Sequence, residues 1–131
     1  QRDGFTAEEE KIALETRKIF EMPLKVTATC VRVPVFIGHC LSVNVEFEKP
    51  ITVETARTTL QKSKGIFVLD RPEENGYITP LEIAGEDVVC VSRLRQDTTV
   101  ASGLSLWIAA DNLRKGAALN AVQILEELIK K

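Results

Sequence analysis

The residues whose types and spacing could do chemistry are concentrated between positions 30 and 40, where Arg32 precedes His39, the only histidine, by seven residues. A guanidinium binds a carboxylate or phosphate through two parallel hydrogen bonds, and an imidazole exchanges protons near neutral pH. An odd separation in an unbroken strand sends two side chains to opposite faces, but Pro34 and Gly38 interrupt this one. The sequence therefore predicts one cavity in which Arg32 binds an anionic group and His39 transfers a proton.

Each of these residues also has a plain structural interpretation. Arg32 in an alternating strand can mark a solvated face, and a lone histidine is often structural. Cys40 beside His39 suggests a cysteine-dependent enzyme, but neighbours in an extended chain point to opposite faces. The sequence also shows no helix N-terminus or other feature that would stabilise a thiolate at Cys40. Spacing alone leaves these alternatives open.

Several sequence blocks occur in an order that one enzyme family shares. They read DGFT, EEEK and ETRKI in residues 3–19, TCVRVPV and GH in 29–39, YITPLE and VSRLRQD in 77–97, and GLSLW and DNLRKGAALNAVQI in 103–124. The last pair is the most specific, and the match covers nearly the whole chain. These blocks resemble the C-terminal domain of the aspartate-semialdehyde dehydrogenases.

The resemblance implies a fold and a set of residue roles. The fold is α+β, a mixed β-sheet covered by helices, as in the C-terminal domain of glyceraldehyde-3-phosphate-dehydrogenase-like proteins. His39 corresponds to the general acid/base and Arg32 to the arginine that binds the substrate's α-carboxylate. Glu8 corresponds to a carboxylate near the substrate's amino group, Lys11 to a phosphate-binding lysine, and Asn112 to a contact of the nicotinamide carboxamide. The alternative to a substrate-binding role for Glu8 and Lys11 is a solvated ion pair, because their i,i+3 spacing places them on one helix face. The alternative to a cofactor contact for Asn112 is a polar residue near a helix cap.

The resemblance also implies a reaction, the NADPH-dependent reductive dephosphorylation of β-aspartyl phosphate to aspartate β-semialdehyde in lysine, threonine and methionine biosynthesis. The family's Cys-Asn-x-Thr nucleophile segment and any Gly-x-Gly-x-x-Gly-like turn are missing from this sequence. We therefore expect NADP to be bound mainly by a domain outside it, and the isolated chain to be inactive. The alternatives are a noncatalytic dimerisation or regulatory module of the same fold, and a related acyl-phosphate reductase.

Composition excludes several other classes. The 131 residues, 44% of them hydrophobic, are enough for one core. With 17 basic and 19 acidic residues interspersed, no charged surface for nucleic acid or an anionic membrane is expected. No segment approaches the roughly 18 apolar residues that span a bilayer. Three cysteines without Cys-x-x-Cys spacing favour neither a disulfide framework nor a metal site, and fit a reducing, cytoplasmic location.

Hydrophobic periodicity predicts the elements that must position the site. A capping box, Thr6-x-x-Glu9, begins a helix that ends before Pro23, a second helix follows Thr52, and a last helix follows Asp111. Strands are predicted at residues 25–35, 41–47, 66–69, 88–91 and 104–109, with a long loop at 71–85.

A domain organisation follows from the resemblance. Residues 1–110 are expected to form a substrate-binding and dimerisation domain of a homodimer, and residues 111–131 a helix that packs on the missing NADP-binding domain. In this chain alone, that helix is expected to be displaced, mobile or packed against another copy. Because the sequence starts at Gln1 and its one methionine is Met22, we expect it to be part of a longer protein.

Overall fold

The computed structural model describes residues 4–71, 73 and 76–130. The contacts divide the chain into two compact units, a first unit of Gln1–Pro34 and a second unit of Val35–Lys131. The elements, in chain order, are α1 (Ala7–Phe20), β1 (His39–Glu46), α2 (Val53–Lys62), β2 (Ile66–Val68), α3 (Pro80–Ile83), β3 (Val89–Gln96), β4 (Gly103–Ala110), a π-helical turn (Arg114–Ala118) and α4 (Leu119–Ile129).

Helix α1 of the first unit begins at the predicted capping box. The Thr6 hydroxyl accepts a hydrogen bond from the Glu9 N–H at 3.3 Å, and the Thr6 N–H donates to Glu9 Oε2 at 2.7 Å. These bonds satisfy N–H groups that have no partner inside the helix. The helix ends at Phe20, before Pro23, so the prediction for this element is confirmed.

The predicted strand at residues 25–35 is wrong. The structure assigns no strand there, although exposure alternates along residues 24–30. The segment is instead attached to α1, because Glu9 Oε1 accepts from the Cys30 N–H and the Arg17 Nε donates to the Leu24 carbonyl, both at 2.8 Å. A strand needs a neighbouring strand that supplies backbone partners, and alternation in the sequence does not reveal whether one is present.

The second unit contains a four-stranded sheet with the order β1-β4-β3-β2. Strand β4 pairs antiparallel with β1 and with β3, whereas β2 pairs parallel with β3. The sheet is therefore mixed, and the predicted α+β class is confirmed. The four strands lie where alternating or continuous apolar runs predicted them.

Each face of this sheet has its own core. On one face α2 packs Ala56 against Leu94 and Leu104, and α2 begins with the Thr52 hydroxyl accepting from the Thr55 N–H at 3.1 Å. On the other face the core is formed by Cys40, Leu69, Ile78, Ile83, Cys90 and Ala109. Side chains of consecutive strand residues alternate between the faces, so β3 and β4 are buried on both sides.

The predicted loop at residues 71–85 contains an unpredicted helix, α3. Its Thr79 N–H donates to Glu82 Oε2 at 2.8 Å, and Pro80 occupies the first helical turn, where a missing N–H costs nothing. Ile83 is only 1% exposed, so this segment contributes to the core. Pro72 and Asn75, which belong to the predicted loop, lie outside the described residues.

Helix α4 presents an apolar surface to solvent. Exposed fractions of its apolar side chains are 52% for Val122, 54% for Ile124, 57% for Leu125 and 62% for Leu128. Burying a large aliphatic side chain stabilises a protein by roughly 1.5–3 kcal/mol, so such a surface calls for a covering partner. The predicted division at residue 110 and the identity of that partner stay predictions. Within the described part of the chain, no helix is both long and apolar enough to cross a membrane.

Candidate functional site

His39 is the first residue of β1, where it pairs with Ala110, the last residue of β4. Its side chain is exposed, and within the described residues it has no hydrogen-bond or ion-pair partner. An imidazole at the end of a strand, on a rigid sheet, is available to a ligand. This is the placement that a general acid/base requires.

Cys40 lies on the face of the sheet opposite to His39. It packs in the core with Cys90 and Ala109, and burial raises the pKa of the Cys40 thiol. A raised pKa lowers the thiolate fraction at neutral pH, and the thiolate is the nucleophilic form. Position and pKa therefore both argue against Cys40 as a nucleophile that His39 activates.

Gly38 sets the backbone conformation immediately before His39. Its φ is +101°, in the region that favours glycine, and the residue is buried. A Cβ at this position would lie 3.0 Å from the Pro80 carbonyl oxygen and 3.2 Å from the Pro80 Cα. Both the conformation and the close approach of α3 therefore require glycine here.

Asn112 accepts a hydrogen bond from the Gly38 N–H through Oδ1, at 2.7 Å. The antiparallel register brings them together, because pairing His39 with Ala110 places the residues just before β1 beside those just after β4. An N–H only donates, so the Asn112 atom that faces it is the oxygen, and Nδ2 keeps its two donor hydrogens for a ligand. The structure thus brings two predicted site residues, His39 and Asn112, into one region of the second unit.

Asp111, one residue before Asn112, anchors this turn. It is 2% exposed, and its carboxylate accepts from the Gly85 N–H at 2.8 Å, the Leu113 N–H at 2.7 Å and the Arg114 N–H at 3.0 Å. The bond from Gly85, followed by those from Arg114 and Leu113, lowers the pKa of Asp111 against the opposing effect of burial. Asp111 thus accepts from N–H groups at the start of the π-helical turn, whereas α4 begins after Ala118 without a side-chain cap, and the Asn112 side chain is directed at Gly38.

Asp111→Asn is expected to lower the melting temperature of the chain at neutral pH by several degrees, because an amide nitrogen cannot accept from the Gly85 N–H. A carboxyl whose folded pKa is depressed stabilises the fold above its unfolded pKa of about 3.9, and this contribution disappears as pH falls through the lower folded value. The difference in melting temperature between wild type and Asp111→Asn is therefore constant near neutral pH and becomes smaller in acid. Circular dichroism melts across this pH range measure it.

The matched control for this prediction is Asp87→Asn. The Asp87 side chain is 52% exposed and forms an ion pair with Arg114, and exposed ion pairs contribute little to stability. Its melting temperature should stay close to that of wild type. An equal fall in melting temperature in both variants would show that the turn is stabilised by the charge interaction of Arg114 and not by the hydrogen bonds of Asp111.

The first unit carries the other three predicted residues. Glu8 and Lys11 lie on one side of α1, with Oε1 and Nζ 3.7 Å apart and side chains 63% and 55% exposed. The Arg32 side chain is exposed and forms no hydrogen bond or ion pair with any described residue. Because Arg32 belongs to the first unit and His39 to the second, the shared cavity stays a prediction.

Sequence reasoning missed one bond that fixes the segment before Arg32. Besides capping α1, the Glu9 carboxylate accepts from the Cys30 N–H, and the bonds from the Thr6 and Cys30 N–H groups lower the pKa of Glu9. The capping box was visible in the sequence. The bond to Cys30 was not, since it joins residues 21 positions apart.

Comparison with known proteins identifies the protein family to which this chain belongs. Residues 1–115 match the family described as "Semialdehyde dehydrogenase, dimerisation domain". The match covers most of the chain, which therefore belongs to this family.

Individual relatives narrow the class to aspartate-semialdehyde dehydrogenases. Those of Rickettsia bellii and Aquifex aeolicus are 50% and 51% identical over 129 and 130 residues, 98% of this chain and 38% of each relative. The structure superposes on aspartate semialdehyde dehydrogenase II of Vibrio cholerae, which has been solved both alone and in complex with ASA. For each of these structures the TM-score is 0.92 and the identity is 44%, and the match covers 100% of this chain and 39% of that one. The sequence-based resemblance is thus confirmed, and the chain spans about two fifths of the length of these relatives.

Proposed function

We propose that this chain is the acid/base and substrate-binding part of an aspartate-semialdehyde dehydrogenase. The proposed reaction is the NADPH-dependent reductive dephosphorylation of β-aspartyl phosphate to aspartate β-semialdehyde. The main support is structural: the only histidine is exposed at the end of a strand of a rigid sheet, on a backbone held by Gly38 and Asn112. Identity of about 50% to enzymes of that name supports the choice of substrate.

His39 is the proposed general acid/base. Its imidazole takes the proton of a cysteine thiol supplied by residues outside this chain, and returns a proton at the reacting carbonyl. Cys40 is not proposed as this nucleophile, because it packs in the core on the opposite face of the sheet.

Three exposed charges of the first unit are the proposed substrate ligands. The planar fork of Arg32 suits the α-carboxylate of an aspartyl substrate, because two parallel hydrogen bonds fix its orientation. Glu8 would bind the α-amino group and Lys11 the phosphate. In the structure these two side chains form only a solvated ion pair, so a substrate would displace a weak contact.

Asn112 is the proposed contact with the nicotinamide carboxamide. Its chemistry fits, because Oδ1 is occupied by the Gly38 N–H while the Nδ2 donors match a carboxamide oxygen. NADPH, when bound, supplies the hydride. Its phosphates would be bound outside this chain, since the sequence has no glycine-rich turn for them.

Two surfaces are proposed to be covered in the complete protein. The family description supports a homodimer formed through this domain. The apolar surface of α4 would pack on the NADP-binding domain, because Val122, Ile124, Leu125, Leu128 and Ile129 are exposed here.

Assay of the protein with its upstream residues tests the proposal. With aspartate β-semialdehyde, phosphate and NADP, the reverse reaction should produce NADPH, measured by its absorbance, and omission of any one substrate should abolish it. The 131-residue chain alone should be inactive. Absence of NADPH formation by the longer protein would favour the noncatalytic module, and preference for a different semialdehyde would favour a related acyl-phosphate reductase.

A further inference from the structure

We propose that Asn112 is a positioning residue for His39, and that its single amide couples the orientation of the nicotinamide to that of the imidazole. This inference rests on the proposed function. It adds a role for the Oδ1 end of the side chain, which holds the backbone that carries the acid/base residue.

The bond between Asn112 and Gly38 is a structural requirement of the buried backbone. Gly38 is buried, and a buried N–H without an acceptor destabilises a protein by roughly 1–3 kcal/mol. The structure satisfies this N–H with Asn112 Oδ1 at 2.7 Å. Among the described residues no backbone carbonyl accepts from this N–H, so the Asn112 side chain makes the contact.

Gly38 is also the point at which the chain most needs such a contact. Glycine has more conformational freedom than any other residue, and a change in its φ or ψ would rotate the peptide that leads into His39. Pro80 limits this movement on one side, since it approaches to within 3.0 Å of the place where a Cβ would lie. Asn112 holds the N–H, so Gly38 is fixed by two contacts.

Asn112 is itself held in place before any ligand binds. Its neighbour Asp111 is 2% exposed and accepts three backbone hydrogen bonds, one of them from Gly85, just beyond α3. Pro80, at the start of the same short helix, contacts Gly38. The turn after β4 and the start of β1 are thus attached to a common support, which is the condition for a preorganised site.

The two ends of the amide have different chemical roles. Oδ1 accepts from Gly38, and Nδ2 is available to donate to the carboxamide oxygen of the nicotinamide. A nicotinamide that accepts a hydrogen bond from Nδ2 therefore contacts the same planar amide group that orients His39 through Gly38. Correct placement of hydride donor and proton carrier would then be achieved by one side chain.

Two substitutions in the complete protein separate these roles. Asn112→Asp keeps an oxygen for Gly38 and removes the donors, so KM for NADP should rise, and any fall in kcat reflects the nicotinamide alone. Asn112→Ala removes both, so KM for NADP should rise to a similar value and kcat should fall roughly 10–100-fold below that of Asn112→Asp, because displacement of a catalytic group by about 1 Å has effects of this size. Each variant is compared at the pH of its own maximal rate.

Asn120→Ala is the matched control, because Asn120 belongs to the same segment but accepts from Lys115 Nζ, at 3.2 Å. Its kcat should equal that of wild type. Amide hydrogen exchange at Gly38 gives a readout independent of activity: protection should persist in Asn112→Asp and be lost in Asn112→Ala. A purely structural role would affect folding and would leave the folded fractions of the two variants with equal kcat.

The outcomes distinguish this inference from the proposed function. An inactive wild-type protein overturns both. An active wild type whose Asn112→Ala variant has the same kcat as Asn112→Asp, or keeps Gly38 protected, overturns the positioning role alone. If the alanine variant does not fold, Asn112→Asp decides, because loss of Gly38 protection in this variant would contradict the assigned role of Oδ1.

Discussion

Replacing His39 by asparagine in the complete protein is expected to lower kcat by about 10²–10⁴-fold with little change in KM, since general acid/base catalysis contributes a factor of this size. Asparagine is close to histidine in size and polarity but cannot accept a proton. His39 is exposed and without a partner in the described residues, so its loss should not weaken the fold. Steady-state kinetics, with the melting temperature recorded in parallel, measure both effects.

Cys40→Ser is the control for this prediction. Cys40 is the next residue of β1, but it packs in the core on the opposite face of the sheet. Its replacement should change stability and leave kcat within about threefold of wild type. The reverse result, a normal His39→Asn variant with an inactive Cys40→Ser variant, would favour the cysteine-dependent enzyme considered in the sequence analysis.

Replacing Arg32 by lysine should raise KM for aspartate β-semialdehyde by roughly 10–100-fold, although the charge is retained. A hydrogen bond to a charged group contributes about 1.5–3 kcal/mol, and lysine lacks the planar fork that binds a carboxylate at two points. KM for phosphate, the proposed ligand of Lys11, should change little. Initial rates with each substrate varied in turn give the two constants separately.

Arg95→Lys is the control for a general effect of removing an exposed guanidinium. Arg95 lies on β3, and among the described residues its guanidinium donates to the Arg93 carbonyl alone, at 2.9 Å. Its KM values should match those of wild type. An equal rise in KM for aspartate β-semialdehyde and for phosphate in Arg32→Lys would show that Arg32 acts through the overall electrostatic field of the site. The assignment of Arg32 to the α-carboxylate would then be wrong.

Local patterns predicted most of the elements because their causes are local. The capping box of Thr6 and Glu9 begins α1, and the Thr52 cap begins α2. Alternation in β1 gave the correct strand because β4 lies beside it and pairs with every residue from His39 to Glu46. The same kind of alternation at residues 25–35 gave a wrong strand, since no strand in the described part of the chain pairs with it.

Buried contacts of the loop regions were not predictable in this way. Pro80 and the apolar Ile83 stand in a segment rich in turn residues, which indicated a surface loop. Packing against the sheet makes Ile83 one of the most buried side chains, and the close approach of Pro80, together with the positive φ of Gly38, strains any other residue at that position. Both effects depend on which surfaces meet after folding.

The sequence by itself determined the chemical groups and the family. A single histidine, an arginine fork and ordered blocks over nearly the whole chain were enough to predict the α+β class and the dehydrogenase family, because residue identity and local periodicity are properties of the chain. The register of β1 against β4 was decided only by the tertiary structure. That register brings Asn112 to Gly38 across 74 residues, and such a contact depends on the simultaneous packing of sheet, turn and α3, which no local pattern encodes.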